Sequence, residues 1–126
     1  MSYTDTFIKI AEDCPSAGEV PPQKPKPTKA QIEFALLIQA PYSLDHKALT
    51  HAVHKAPKGQ DALGFDAFHS KGQPCLRASP LTKRYGWGAH YNAEGRIAIY
   101  AAGSREYVDI CASAGKTLLA MRNKRK

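Results

Sequence analysis

Five of the chain's nine prolines fall within one short segment: Pro15, Pro21, Pro22, Pro25 and Pro27. Each proline locks φ and removes a backbone N–H, so neither a helix interior nor a central strand survives such density. Residues 15–27 are therefore expected to form an extended connection of polyproline character. Only one short element fits before it. Thr4-Asp5-Thr6-Phe7-Ile8-Lys9-Ile10-Ala11 is β-branched and aromatic, which predicts a strand over 4–11 that stops at Glu12-Asp13-Cys14-Pro15. The connection also contains Pro22-Gln23-Lys24-Pro25, a P-x-x-P match. Such a run either packs along its own domain or meets a partner's aromatic groove.

Beyond the connection the apolar spacing turns helical. Thr28 is a candidate N-cap for a helix near 28–40, apolar around much of its circumference and stopped by Pro41. Ser43 is a candidate cap for a second helix near 43–49, and residues 50–55 fit either its continuation or a strand. A short turn is expected around Leu63, Phe65 and Phe68. Ser79 followed by Pro80 opens another short helix, which Gly86 closes. Strands are predicted at 87–92 and 96–101, joined through Asn92-Ala93-Glu94-Gly95. Ser104 then caps a helix expected to run over 104–121.

At 126 residues the chain is long enough for one real core, because roughly two-thirds of its unfolded surface is buried on folding. The pattern predicts one α+β domain over residues 1–126. A small antiparallel sheet of three to four strands comprises 4–11, 87–92 and 96–101, with 50–55 as the optional fourth. About three helices, near 28–40, 43–49 and 104–121, are expected to cover one face. A basic tail follows at 122–126. No apolar run is long enough to span a bilayer and the N-terminus lacks a signal-peptide pattern, so no membrane partner is expected. Three cysteines form no disulfide framework and suit the cytoplasm.

The net charge of +7 is unevenly distributed. Residues 1–70 carry seven lysines, no arginine and eight acids, a net of −1; residues 71–126 carry five lysines, six arginines and three acids, a net of +8. Arginine's planar fork suits phosphate and carboxylate better than lysine's point charge, so the second half is expected to meet an acidic ligand or partner. Within it, Lys71, Arg77, Lys83 and Arg84 bring four cations close together, and Tyr85 and Trp87 offer faces for stacking a base or ring. The opening of the short helix at Ser79-Pro80 would add oriented N–H groups. No G-x-x-x-x-G-K-[ST] or G-x-G-x-x-G run is present, and no cofactor is expected.

The run 71–88, Lys-Gly-Gln-Pro-Cys-Leu-Arg-Ala-Ser-Pro-Leu-Thr-Lys-Arg-Tyr-Gly-Trp-Gly, together with Asp5-Thr6-Phe7-Ile8, Glu19-Val20-Pro21-Pro22 and Ala120-Met121-Arg122, resembles a family of small, mostly bacterial proteins of unknown function. The resemblance spans nearly the whole chain and implies a single domain, with no activity or site residues to carry over. Pro25 and Pro27 stand where members tend to have glycine, and residues 55–64 look shorter or less acidic than in the family.

The reading drawn from the residues is a non-enzymatic cytosolic module that binds an anionic ligand, a phosphorylated metabolite or a nucleic acid, through Lys71, Arg77, Lys83, Arg84, Tyr85 and Trp87. One alternative is a small enzyme using Cys75 as nucleophile, its pKa lowered by Lys71 and Arg77, with His69 or His90 as base. Another is an interaction domain for an acidic partner. His46, His51 and His54 lack the C-x-x-C or H-E-x-x-H context of a metal site, and none is expected. No motif speaks to oligomeric state.

Overall fold

The structure, a computed structural model, describes residues 3–22, 24–26, 28–70 and 76–121. Strand β1 (Thr6–Lys9) leads through the proline-rich connection into helices α1 (Lys29–Gln39) and α2 (His46–Lys55). Two short helices follow, α3 (Phe65–His69) and α4 (Pro80–Lys83), each preceded by a 3₁₀ turn. The chain closes with β2 (Trp87–Tyr91), β3 (Ile97–Ala101), α5 (Arg105–Ser113) and β4 (Lys116–Leu119). The strands lie in the order β3-β2-β1-β4. Both β1–β2 and β2–β3 are antiparallel, and β1–β4 is parallel. The α+β class is as the sequence predicts, with a mixed rather than purely antiparallel sheet.

Local signals place most elements. Thr28 accepts from the Gln31 amide at 3.2 Å and starts α1. Ser79 and Ser104 cap α4 and α5 in the same way. Between β2 and β3, the Asn92 side-chain oxygen accepts from the Glu94 and Arg96 amides, both at 2.9 Å, and closes the hairpin. The strand expected over 4–11 is trimmed to Thr6–Lys9, since Asp5 sits at φ 51°, outside strand geometry.

Residues 50–55, which fit either a helix or a strand, are helical and supply no strand. Asp45, rather than Ser43, caps α2 by accepting from the Ala48 amide at 2.8 Å. The helix then runs unbroken because Leu49 and Val53 bury one continuous stripe. The last helix does not reach 121. It ends at Ser113, Ala114 turns extended, and Lys116–Leu119 becomes β4. Over so short a run the apolar residues satisfy either period, and the unpaired edge of β1 decides between them. Lys116 N–H donates to the Asp5 carbonyl and Ala120 N–H to that of Lys9, at 3.0 and 2.9 Å.

Adjacent residues of β1 point to opposite faces of the sheet. Ile8 joins the core cluster with Leu37 of α1, Leu49 and Val53 of α2, Leu81 of α4, and Ala89, Tyr91, Ile97 and Ile99 of the sheet. Phe7, fully buried, points the other way and packs edge-on against Tyr107 of α5, ring centroids 5.0 Å apart. The helices thus cover both faces rather than one. The proline-rich connection is tied along the sheet end: the Gly18 and Glu19 amides both donate to the Tyr85 carbonyl, and Gly103 donates to that of Ala17. No helix among the described residues is long and apolar enough to cross a membrane.

Candidate functional site

The basic segment is held by its main chain and by its own polar side chains. Arg77 Nε donates to the Leu119 carbonyl at 2.7 Å, and the Arg77 carbonyl accepts from the Met121 amide at 2.8 Å. Arg77 therefore clasps the end of β4. Lys83 closes α4, and Arg84 is its exposed C-cap. The ring of Tyr85 packs on the core. Trp87 packs there as well, edge-on to Phe34 at 5.1 Å, and its indole N–H donates to the Glu19 carbonyl at 2.8 Å. Arg77 and Trp87 lie at the same end of the sheet, on either side of β1. Both β1 and β4 therefore lie between them. Lys71, Cys75 and the tail 122–126 lie outside the described residues, as do Gln23 and Pro27 of the proline-rich connection.

The opening of α4 already faces an internal acidic side chain, Glu33 of α1. Ser79 Oγ accepts from the Leu81 amide at 3.1 Å and donates to Glu33 Oε1 of α1 at 2.6 Å. The Glu33 carboxyl group thus bonds the capping hydroxyl of α4, beside the N–H groups to which the sequence drew attention. Burial raises the Glu33 pKa, against the smaller lowering effects of the Ser79 hydrogen bond and the Lys29 charge. The folded state then holds this proton more tightly than the unfolded chain. Stability is expected to fall as pH rises from the ordinary glutamate range through Glu33's raised value. Glu33→Gln keeps an acceptor for Ser79 and should flatten that decline, as thermal midpoints taken from acid to neutral pH would show. An equal decline in both proteins would refute the assignment.

The histidines divide into two groups. His51, His54 and His69 pack with Phe65 and Phe68 between α2 and α3. Their Nε2 atoms bond to main-chain groups of Leu63 or Lys47 at 2.9–3.0 Å. No group of three or more His, Cys, Asp or Glu among the described residues is placed to hold a metal ion. His90 is different. It lies on the face of β2 opposite the main core, where its Nδ1 is 2.7 Å from Tyr42 Oη, and that oxygen is 2.9 Å from Tyr100 Oη. The three groups form one hydrogen-bonded chain.

The Tyr42–His90–Tyr100 cluster is absent from the sequence reading. Part of it was legible, since strand alternation puts His90, its neighbour Phe7 and Tyr100 on one face. Tyr42 was not, because it comes from the turn after Pro41 and carries no periodic signal. That turn is strained. Tyr42 sits at φ 59° and Asp5, whose charge acts on His90, at φ 51°; they are the non-glycine residues with positive φ among those described. Such a conformation costs on the order of 1–3 kcal/mol, held here by the Tyr42 amide on the Ile97 carbonyl at 2.8 Å. Burial lowers the His90 pKa and Asp5 opposes that effect more weakly, so the imidazole is neutral at neutral pH. Burial and the Tyr100 hydrogen bond raise the Tyr42 pKa far above the ordinary tyrosine value, keeping its hydroxyl protonated. Beside them, Tyr107 Oη accepts from the Ile10 amide at 3.0 Å. Gly88 leaves the space that the Phe7 and Tyr107 rings fill.

A family model described as a family of unknown function (DUF6157) matches residues 1–126. The chain belongs to this family. DUF6157 thus covers the basic segment and the His90 cluster alike. No curated protein and no solved structure matches the chain significantly.

Proposed function

We propose that this DUF6157 protein is a non-enzymatic, cytoplasmic module that binds an anionic ligand, a phosphorylated metabolite or a nucleic acid, through the 71–88 segment. The observation that carries it is the charge distribution. Every arginine lies at or beyond Arg77, in a half whose net charge is +8. Arg77, Lys83 and Arg84 are presented there on two short turns that pack against each other. Tyr85 and Trp87 serve this surface by anchoring the segment to the core, so the cations rather than the rings supply the affinity. Binding of this kind is electrostatic and weakens steeply with salt, because phosphate contacts release counterions.

The test is a titration with a fluorescent single-stranded oligonucleotide at several salt concentrations, beside thermal shifts against nucleotides and sugar phosphates. Lys83→Ala/Arg84→Ala is expected to weaken oligonucleotide binding and to reduce the log–log salt slope by about 1.4, at roughly 0.7 per phosphate contact. A thermal shift from a phosphorylated metabolite that the same variant abolishes identifies the smaller ligand class. Binding that is insensitive to salt, or retained in full by the variant, overturns the proposal.

A further inference from the structure

We propose that the Tyr42–His90–Tyr100 cluster is a second ligand site, in which His90 Nε2 hydrogen-bonds the hydroxyl of a small uncharged phenol and Tyr42 and Tyr100 are positioning residues. The first ground is how the five histidines use their nitrogens. His51, His54 and His69 spend Nε2 on the main chain, and His46 is buried. His90 instead spends Nδ1, on Tyr42 at 2.7 Å. Its Nε2 makes no hydrogen bond among the described residues, and the ring is only partly buried.

The second ground is the way the chain of hydroxyls matches a hydroxyl ligand. With protons running from Tyr100 to Tyr42 to Nδ1, the imidazole carries its hydrogen on Nε2 and donates outward. With the two hydroxyls turned the other way, Nδ1 donates to Tyr42 Oη, Tyr42 donates to Tyr100 Oη, and Nε2 accepts. A hydroxyl group is donor and acceptor at once and is satisfied in either arrangement; a carboxylate or an ammonium is satisfied in only one. Charge narrows the class further. The Asp5 carboxylate acts on His90 and repels an anion, which separates this site from the basic segment. The partly exposed ring of Tyr42 stands edge-on to His90 at 5.7 Å and favours an aromatic body on the ligand.

The third ground is the strained turn. Tyr42 holds φ 59° while its hydroxyl bridges two strands. Tyr42 thereby fixes the plane of the imidazole, which preorganises Nε2 for a ligand.

The test follows the ring nitrogens of all five histidines by ¹⁵N NMR during titrations with phenol and, separately, benzoate. Phenol is expected to move His90 Nε2 saturably, leaving His51, His54 and His69 in place, and benzoate to move it little. Tyr42→Phe, shown folded by its thermal melt, is expected to lose the response. The wild-type protein gives an independent readout through diethyl pyrocarbonate, which transfers its ethoxycarbonyl group to an unprotonated imidazole nitrogen and releases ethanol and carbon dioxide. His90 is expected to react about fivefold faster than His54, whose Nε2 lone pair accepts from the Leu63 amide, the factor an ordinary hydrogen bond withholds, and phenol should protect it. Phenol shifts no larger at His90 than at His51, His54 or His69 would overturn the assignment, as would equal shifts with benzoate or an unchanged response in Tyr42→Phe.

Discussion

Phe7→Ala is expected to lower the unfolding free energy by about 3–5 kcal/mol, the cost of truncating a fully buried phenylalanine and leaving a cavity. Phe7 has no exposed surface and is the residue on which the second face of the sheet converges. Tyr107 and His90 both pack edge-on with its ring, and the missing side chain of Gly88 makes room for it. The collapse that softens some cavities is blocked here. α5 is joined to the sheet through Tyr107, whose hydroxyl is held by the Ile10 amide, so the helix cannot settle inward without losing that bond. Urea denaturation is the appropriate measurement, with an unchanged m-value and a lowered midpoint. In heat, the same loss corresponds to a fall in Tm of roughly 10–20 °C for a chain of this length. A loss below about 1 kcal/mol would mean that α5 does not seal this face.

Gly86→Ala carries the second large effect, about 2–5 kcal/mol, from two sources that act together. Gly86 sits at φ 80°, where any side chain is strained. A Cβ there would also meet the Ser16 carbonyl oxygen and, at 2.6 Å, the Gly18 nitrogen, both of them backbone atoms unable to swing aside. The connection would be pushed off the Tyr85 carbonyl that holds Gly18 and Glu19. Trp87 would then lose its bond to the Glu19 carbonyl. Trp87 is the protein's single tryptophan, so a red-shifted, broadened emission should accompany the drop in stability. A destabilised variant with native emission would place the damage elsewhere. By loosening the anchor of Arg84, the same substitution is expected to weaken oligonucleotide binding without changing net charge.

How far the sequence could be read depended on how local each decision was. The caps at Thr28, Ser79 and Ser104 and the Asn92 hairpin were legible because each rests on hydrogen bonds spanning at most four residues. The segment 50–55 was ambiguous for the opposite reason. Its apolar residues fit two periods, and only the core that receives Leu49 and Val53 selects the helix. The cations of the basic segment were visible as composition. What Ser79 faces was not: Glu33, which accepts from its hydroxyl, comes from 46 residues away in the chain.

From sequence alone came the α+β class, the extended proline-rich connection, the positions of α1, α4 and the hairpin, and the charge asymmetry. All of these follow from backbone sterics, capping within one turn, and the counting of charges. The tertiary structure alone decided three matters: that β1's free edge converts residues 116–119 from helix to parallel strand, that Tyr85 and Trp87 pack against the core, and that Tyr42, His90 and Tyr100 meet. The last joins residues 48 and 58 positions apart. Strand register and a strained turn bring them together, and no periodicity within any one element records where another element will pack.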